Sequence, residues 1–474
     1  MFCLNEIVKK ESIIMIKNII RVLISNIVVM LTSFVNTLFI PLILSIDAYA
    51  EYQTFMIYVS YISMLTFGFH GGLFIKYAGK RRAEIEKQQF RSEMRLILFS
   101  QLFITMIVVA GAFVTKNELL FYFGLCILTS NFTSVYKYLY QAWNEFTKFS
   151  MISVVQSLGF SGTVLLLALL DKTISAQSII YVYLIVNAVC FSFVFLQYMR
   201  DTKGVKSNRL NSAENRNTLQ AGALLIIGGG INVFFSSIDK YYVKFFFSNY
   251  EFSMYCFAIS LMNIMNVFIS AIAQPMYLQL VSDDAVTSKR KEYKQLLLCF
   301  GTLSGAAYYI CAIIVQFLLP KYFESLKIVS ILFAMFPAVA VINSMYVNLY
   351  KSTNQIKKYI WTLVAITCCA IIFNLIGVVL YKSYYSIAIA TTVCYYTWLI
   401  YSSRHFEGLE IEKKDIIFIL GFLVIYFGVT SIRNNILGLS LYVIVVALWD
   451  FLIYHKVLRK SVCLFLPRFQ RRER

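Results

Sequence analysis

The chain has 474 residues, of which 59% are hydrophobic and 14% charged, with five prolines, a mean hydropathy of +0.70 and a formal net charge of +19. A soluble globular chain carries about 25% charged and about 45–50% apolar residues, so an ordinary soluble enzyme is excluded. The apolar content suffices for as many as fourteen helices at ~20 residues per bilayer crossing. Taken in chain order, apolar runs of that length begin near residues 20, 53, 96, 119, 150, 178, 219, 252, 295, 328, 359, 384, 416 and 436. The connections between these fourteen segments are short or basic, and none could hold a folded extramembrane domain.

The leading stretch Met1 to Arg21 alternates charged and apolar residues without a small-residue cleavage site. It reads as a short interfacial helix rather than a removable signal peptide. Basic residues stay on the cytoplasmic side during insertion. With the N-terminus cytoplasmic, the opposite loops hold only Lys116, Lys172, Lys240, Lys244, Lys321, Lys327, Lys382 and Arg433, and the other 35 of the 43 basic residues fall inside. One missed helix would spoil that alternation, so the split supports both the count and cytoplasmic placement of both termini in a multi-pass protein. The positive charge is therefore an inner-surface property and implies no nucleic-acid partner. The tail Arg468, Arg471, Arg472 and Arg474 is suited to anionic membrane lipids. The cysteines, for example Cys126, Cys256, Cys368, Cys369 and Cys463, lie in helices or on the cytoplasmic side, so no disulfide framework is expected.

The chain also resembles itself. LYQAWNEFTKF (Leu139 to Phe149) follows segment 4 and LYKSTNQIKKY (Leu349 to Tyr359) follows segment 10, at an offset of 210. AYAEYQTF (Ala48 to Phe55) opens segment 2 and SNYEFSMY (Ser248 to Tyr255) opens segment 8, at an offset of 200. Two concordant matches imply a six-helix unit used twice. The expected fold is thus an all-α polytopic membrane protein of about fourteen transmembrane helices: two parallel six-helix bundles related by a pseudo-two-fold axis along the membrane normal, plus two C-terminal helices. The expected domains are an N-terminal bundle over 1–200, a cytoplasmic linker over 201–218, a C-terminal bundle over 219–405, and two added helices with a basic tail over 406–474.

There is no G-x-x-x-x-G-K-[ST] phosphate loop. His70, His405 and His455 are scattered without metal-ligand spacing, so no cofactor or metal is expected. Gly228, Gly229 and Gly230 lie in an apolar run with no strand before them and read as close helix packing or a flexible point in segment 7. Polar residues at helical spacing mark a face turned to protein or water, because a lipid-facing helix is apolar all round. Segment 7 carries Asn232, Ser236, Lys240 and Lys244 at i, i+4, i+8 and i+12, with Asp239 adjoining; segment 8 carries Asn263, Asn266, Ser270 and Gln274. Segment 1 has Arg21, Ser25, Thr32 and Asn36, and segment 4 has Ser130, Ser134, Lys137 and Gln141. Such stripes read either as interhelical hydrogen bonds, worth ~0.6 kcal/mol per pair, or as a shared hydrophilic cavity. Arg21 and Lys137 also suit an inner membrane interface, and Asp239 with Lys240 an outer-end pair.

The run Ser236 to Leu280 has Asp239 and Lys240 at the end of segment 7, Tyr255 in an aromatic-rich start of segment 8, and Pro275 near its end. It resembles the polysaccharide-biosynthesis flippases. YAEYQTF (Tyr49 to Phe55), FGFHGG (Phe67 to Gly72) and LYQAWNEFTKFSMISVVQS (Leu139 to Ser157) are similar to that family too, and the similarity covers most of residues 15–405. The resemblance implies a Wzx-like member of the multidrug/oligosaccharidyl-lipid/polysaccharide exporter superfamily, a transporter and not an enzyme. Such a protein moves undecaprenyl-pyrophosphate-linked oligosaccharide repeat units from the cytoplasmic to the outer leaflet of the bacterial inner membrane. It serves lipopolysaccharide, O-antigen or other surface polysaccharide biosynthesis, beside polymerase and chain-length regulator proteins. That family commonly has twelve helices, and a count of fourteen leaves a lipid-linked peptidoglycan-precursor flippase open.

A sugar-pyrophosphate headgroup needs a polar cavity while its polyprenyl tail stays in lipid; cations suit the pyrophosphate, and hydroxyls and amides suit the sugars. The expected substrate-binding set is Arg21, Asn36, Lys137, Asn232, Lys240, Lys244, Asn263, Asn266 and Gln274, with Asp239 pairing with Lys240 or taking part in coupling. Without a nucleotide site, the drive is an ion gradient or the membrane potential, about 2.3 kcal/mol per unit charge per 100 mV, spent through alternating access. A cation-coupled drug antiporter would lean on membrane carboxylates, of which Asp239 and then Asp450 are available. A membrane polymerase or glycosyltransferase would need a larger outer loop than this chain has.

Overall fold

The computed structural model describes residues 2–170, 174–206, 212–282, 287–432 and 434–465, which are helical apart from turns and short connections, with no strand among them. Lys172, Arg433 and the tail arginines lie outside the described residues, as do the side chains of Gln274, Pro275 and Cys463. The chain forms two compact units, residues 1–233 and 234–474.

The first unit contains α1 (Phe2–Ile43), α2 (Ile46–Ser60), α3 (Phe69–Tyr77), α4 (Lys87–Thr115), α5 (Glu118–Ala142), α6 (Phe146–Leu170), α7 (Ala176–Asp201) and nearly all of α8 (Ser212–Phe235). The second contains α9 (Ile238–Phe246), α10 (Asn249–Ser282), α11 (Thr287–Ser304), α12 (Ala307–Leu318), α13 (Ser325–Phe333), α14 (Phe336–Val341), α15 (Val347–Ser352), α16 (Ile356–Tyr381), α17 (Tyr384–Ser403), α18 (Lys413–Thr430) and α19 (Asn435–Phe465).

All fourteen apolar segments fall on these helices. Among the described residues nine are long and apolar enough to cross a membrane, or up to eleven when each of two bent pairs counts as one span. The other three segments are helical for visible reasons but fall short of a plain span. Segment 7 is broken between α8 and α9, α17 is rich in tyrosine, and α18 opens with Lys413, Lys414 and Asp415.

The repeat has a structural meaning. Asn144 (φ 58°) and Asn354 (φ 55°), 210 residues apart, are both left-handed. In the first copy the N–H groups of Trp143, Asn144 and Glu145 donate to the carbonyls of Leu139, Gln141 and Tyr140; in the second those of Thr353, Asn354 and Gln355 donate to Leu349, Lys351 and Tyr350. This is one Schellman helix stop built twice, with asparagine where a left-handed residue is required. The matched aromatics of the other repeat, Tyr52 with Phe252 and Phe55 with Tyr255, are all buried.

The FGFHGG motif makes the bend between α2 and α3. Phe67 (φ 51°) and Gly68 (φ 87°) are both left-handed and turn the segment by 52°. Gly68 and Gly72 then form a small-x-x-x-small face that admits α8: a Cβ on Gly222 would strike the Gly68 carbonyl, and one on Gly72 the Thr218 carbonyl. The first half of segment 7 therefore packs within the N-terminal unit. Gly222→Val is expected to destabilise the protein by about 1–3 kcal/mol through overpacking, seen as a lower midpoint of thermal unfolding in detergent. Val at Gly162, where a Cβ would meet nothing within 4 Å, is the neutral control.

Behind this bend lies an aromatic core in which Phe90, Phe132, Tyr136, Tyr140, Trp143 and Tyr198 are buried together. Arg82 closes it at one end, ion-paired with Asp201 and with Glu145 (3.3 Å) and lying 5.1 Å from the Trp143 ring. Burial opposes the Arg82 charge, but Asp201 and Glu145 more than offset it, so its pKa is raised.

Candidate functional site

In the first unit the predicted residues gather around α6. The polar stripe of α1 is interhelical: Ser25 Oγ donates to the Ser150 carbonyl (3.5 Å), and the Thr32 and Ser157 hydroxyls meet. Arg21, exposed at the start of the membrane-spanning part of α1, donates to Thr147 Oγ1 (2.9 Å). Asn36 lies further along the same helix, half-buried.

Lys137 of α5 faces α6 from the other side. Its Nζ lies 3.4 Å from Gln156 Oε1 and 5.6 Å from the Phe149 ring. The network continues inward. Gln156 Nε2 donates to Asn187 Oδ1 of α7 (3.2 Å), which also accepts from Ser130 Oγ (3.3 Å), while Asn187 Nδ2 donates to the Tyr183 carbonyl (2.8 Å). Gln156, held in turn by Asn187 and Ser130, thus contacts a half-buried ammonium that has no carboxylate partner among the described residues. A half-buried cation in that state, on a helix apolar enough to span a membrane, is suited to an anion.

In the second unit, Asp239 of α9 is 4% exposed. Its carboxylate accepts from Tyr255 OH (2.9 Å) and from the backbone N–H of Lys240 (2.8 Å). Asp239 and Lys240 are therefore joined through the backbone, with no ion pair between them among the described residues. Lys244 donates to Asn249 Oδ1 (2.9 Å) and sits 5.0 Å from the Phe252 ring.

The continuous stripe read along segment 7 is interrupted. The helix stops at Phe235 and restarts at Ile238, with Ser237 N–H donating to the Phe234 carbonyl. Asn232, exposed, belongs to α8, whereas Lys240 and Lys244 belong to α9. On α10, Asn263 is exposed and Asn266 half-buried.

Sequence reasoning missed a deeply buried charged pair. Lys294 and Asp415, 1% and 0% exposed, form an ion pair at 2.6 Å; Lys294 also donates to the Glu410 carbonyl (2.6 Å), and Tyr454 OH donates to Asp415. The capping box of Glu412 and Asp415 at the start of α18 marked Asp415 as a first-turn acceptor. Nothing local tied it to a lysine 121 residues earlier. Asp450 of α19, which the sequence offered as a membrane carboxylate, is also buried and is set against Thr302 of α11.

No protein-family model and no curated protein matches the chain. Its fold is similar to that of the lipid II flippase MurJ in an inward closed conformation, with a TM-score of 0.69 and 14% identity over 94% of this chain and all of the other. At that identity the likeness is one of fold: the described residues form a helical, multi-pass membrane protein whose fold is similar to that of MurJ.

Proposed function

We propose that this protein flips a lipid-linked sugar pyrophosphate, specifically undecaprenyl-pyrophosphate-linked oligosaccharide repeat units, from the cytoplasmic to the outer leaflet of a bacterial inner membrane. The observation that carries the reading is Lys137: a membrane cation without a carboxylate partner among the described residues, backed by amides, in a chain with a flippase fold. Its ammonium binds pyrophosphate oxygens, joined by Arg21 of the same unit; in the second unit, Lys240 and Lys244 are candidate anion contacts of their own. Within each unit the amides supply sugar contacts: Asn36 and Asn232 in the first, Asn263 and Asn266 in the second.

An outward-moving anion is favoured by an inside-negative potential, at about 2.3 kcal/mol per unit charge per 100 mV. Both termini are cytoplasmic in this reading, and the product passes to polymerase and chain-length regulator proteins. A second reading, flipping of a lipid-linked peptidoglycan precursor, is favoured by the description of the structural neighbour as a lipid II flippase.

Deleting the gene and identifying the lipid-linked intermediate that accumulates separates the two. The first reading predicts an undecaprenyl-pyrophosphate oligosaccharide retained on the inner leaflet. Accumulation of the peptidoglycan precursor selects the second, and accumulation of neither rejects both.

A further inference from the structure

The second unit holds a buried carboxyl that the substrate site does not use. Asp450 is 3% exposed in the middle of a membrane-spanning stretch of α19, Asn435–Lys460. Its two oxygens lie 3.1 and 2.9 Å from one atom, Thr302 Oγ1 of α11. That hydroxyl has a single proton, and it also lies 2.6 Å from the Cys299 carbonyl, its closer acceptor. If the hydroxyl donates to Cys299, the contact with Asp450 is a hydrogen bond only when the proton on it belongs to Asp450. A hydroxyl oxygen then accepts from a carboxylic acid.

The surroundings agree with a neutral group. Of the titratable groups on the packed elements, Cys299 of α11 and Tyr442 of α19 interact with Asp450, Tyr309 of α12 and Tyr426 of α18 pack on the Tyr442 ring, and Tyr442 directs its OH to the Thr302 carbonyl (2.6 Å). The nearby charged pair, Lys294 with Asp415, is closed on itself and capped by Tyr454. Among the described residues no cation pairs with Asp450. An unpaired carboxylate at this depth is strongly disfavoured, and protonation removes that cost.

The site also sits between two irregular points. The α11–α12 span breaks at Gly305 and Ala306, where a Cβ on Gly305 would strike the Tyr442 hydroxyl. Helix α19 leaves helical geometry at Tyr454 (φ −118°, ψ 29°), one turn past Asp450.

We propose that Asp450 and Thr302 form a proton-binding site that couples transport to the proton gradient. In the conformation described, Asp450 is a carboxylic acid and its O–H latches α19 to α11. Release transfers that proton to water as hydronium, and the resulting carboxylate must gain solvent, which parts the helices at their two irregular points. Uptake from hydronium re-forms the O–H bond and leaves water. The coupling role rests on the transport reading above; the protonation of Asp450 does not.

Two measurements test these parts separately. Infrared spectra of the full-length protein in lipid nanodiscs at neutral pH are expected to contain a carboxylic-acid carbonyl band that vanishes in Asp450→Asn and shifts in Thr302→Val. A spectrum in which Asp450→Asn removes no such band overturns the proton site.

In liposomes, translocation of undecaprenyl-pyrophosphate-linked oligosaccharide should follow an imposed pH gradient in the wild type, and Asp450→Asn should lose that dependence. Equal pH dependence in both proteins, or none in the wild type, overturns the coupling. If no oligosaccharide moves at all, the function proposed above fails with the coupling, and the infrared band still decides the proton site.

Discussion

Lys294→Met is expected to destabilise the protein by about 3–5 kcal/mol, because it strands Asp415 as an unpaired charge at 0% exposure. The loss should be visible as a strongly lowered midpoint of thermal unfolding in detergent, with less folded protein in the membrane. Asp415 holds three elements together. It receives Lys294 of α11 and Tyr454 of α19, and it accepts the Glu412 N–H at the start of its own helix α18 (3.0 Å). Removing the lysine leaves the carboxylate's other partners in place and its charge uncompensated. The double variant Lys294→Met/Asp415→Asn should recover much of the stability, since a neutral amide keeps one oxygen to accept the Glu412 N–H while its NH2 can donate to the Tyr454 hydroxyl oxygen. A single variant as stable as the wild type would mean that the pair is solvated in the membrane.

The second large effect is functional. Lys137→Met should leave protein abundance near normal, because the ammonium is held within the protein by a long hydrogen bond to Gln156 (3.4 Å) and its approach to the Phe149 ring, neither of which ties up a buried charge. Transport of a pyrophosphate-bearing lipid should nevertheless fall about ten- to a hundredfold, as expected when a charge-assisted hydrogen bond worth about 1.5–3 kcal/mol is removed. Lys137→Arg keeps the charge and should retain most of the activity. Gln156→Leu should give a smaller loss, because it removes the amide that positions the ammonium while sparing the ammonium itself. Normal surface-polysaccharide assembly with Lys137→Met at wild-type abundance would take Lys137 out of the site.

What could be read in the sequence was what local composition carries. Fourteen apolar runs became helices, whereas FGFHGG, read in the sequence only as a family-like motif, proves to be a bend because Phe67 and Gly68 take left-handed φ. The 210-residue repeat carried more information than its length suggests: asparagines 144 and 354 end their helices with the same three backbone hydrogen bonds.

Other features had no local signature. The stripe of segment 7 looked continuous because a four-residue period cannot reveal that Ser236 and Ser237 sit in a break. Ser25 and Thr32 carried the pattern expected of a wet face, and the structure sets them against Ser150 and Ser157 of α6. Polar spacing marks a face turned from lipid and does not say whether protein or water covers it. The buried charges lay hidden for a different reason. Lys294 stood in a basic stretch that the charge rule already explained, and its partner arrives from another helix 121 residues later.

The central claim, that this fold carries a lipid-linked sugar pyrophosphate across the membrane, is tested most directly by reconstitution. Purified protein would be placed in liposomes holding labelled undecaprenyl-pyrophosphate oligosaccharide in one leaflet, with Lys137→Met liposomes and protein-free liposomes beside them. The account predicts that the labelled headgroup becomes accessible on the opposite face with the wild-type protein and far more slowly in both controls. A headgroup that stays in its original leaflet while the wild-type protein is folded and monodisperse would contradict it.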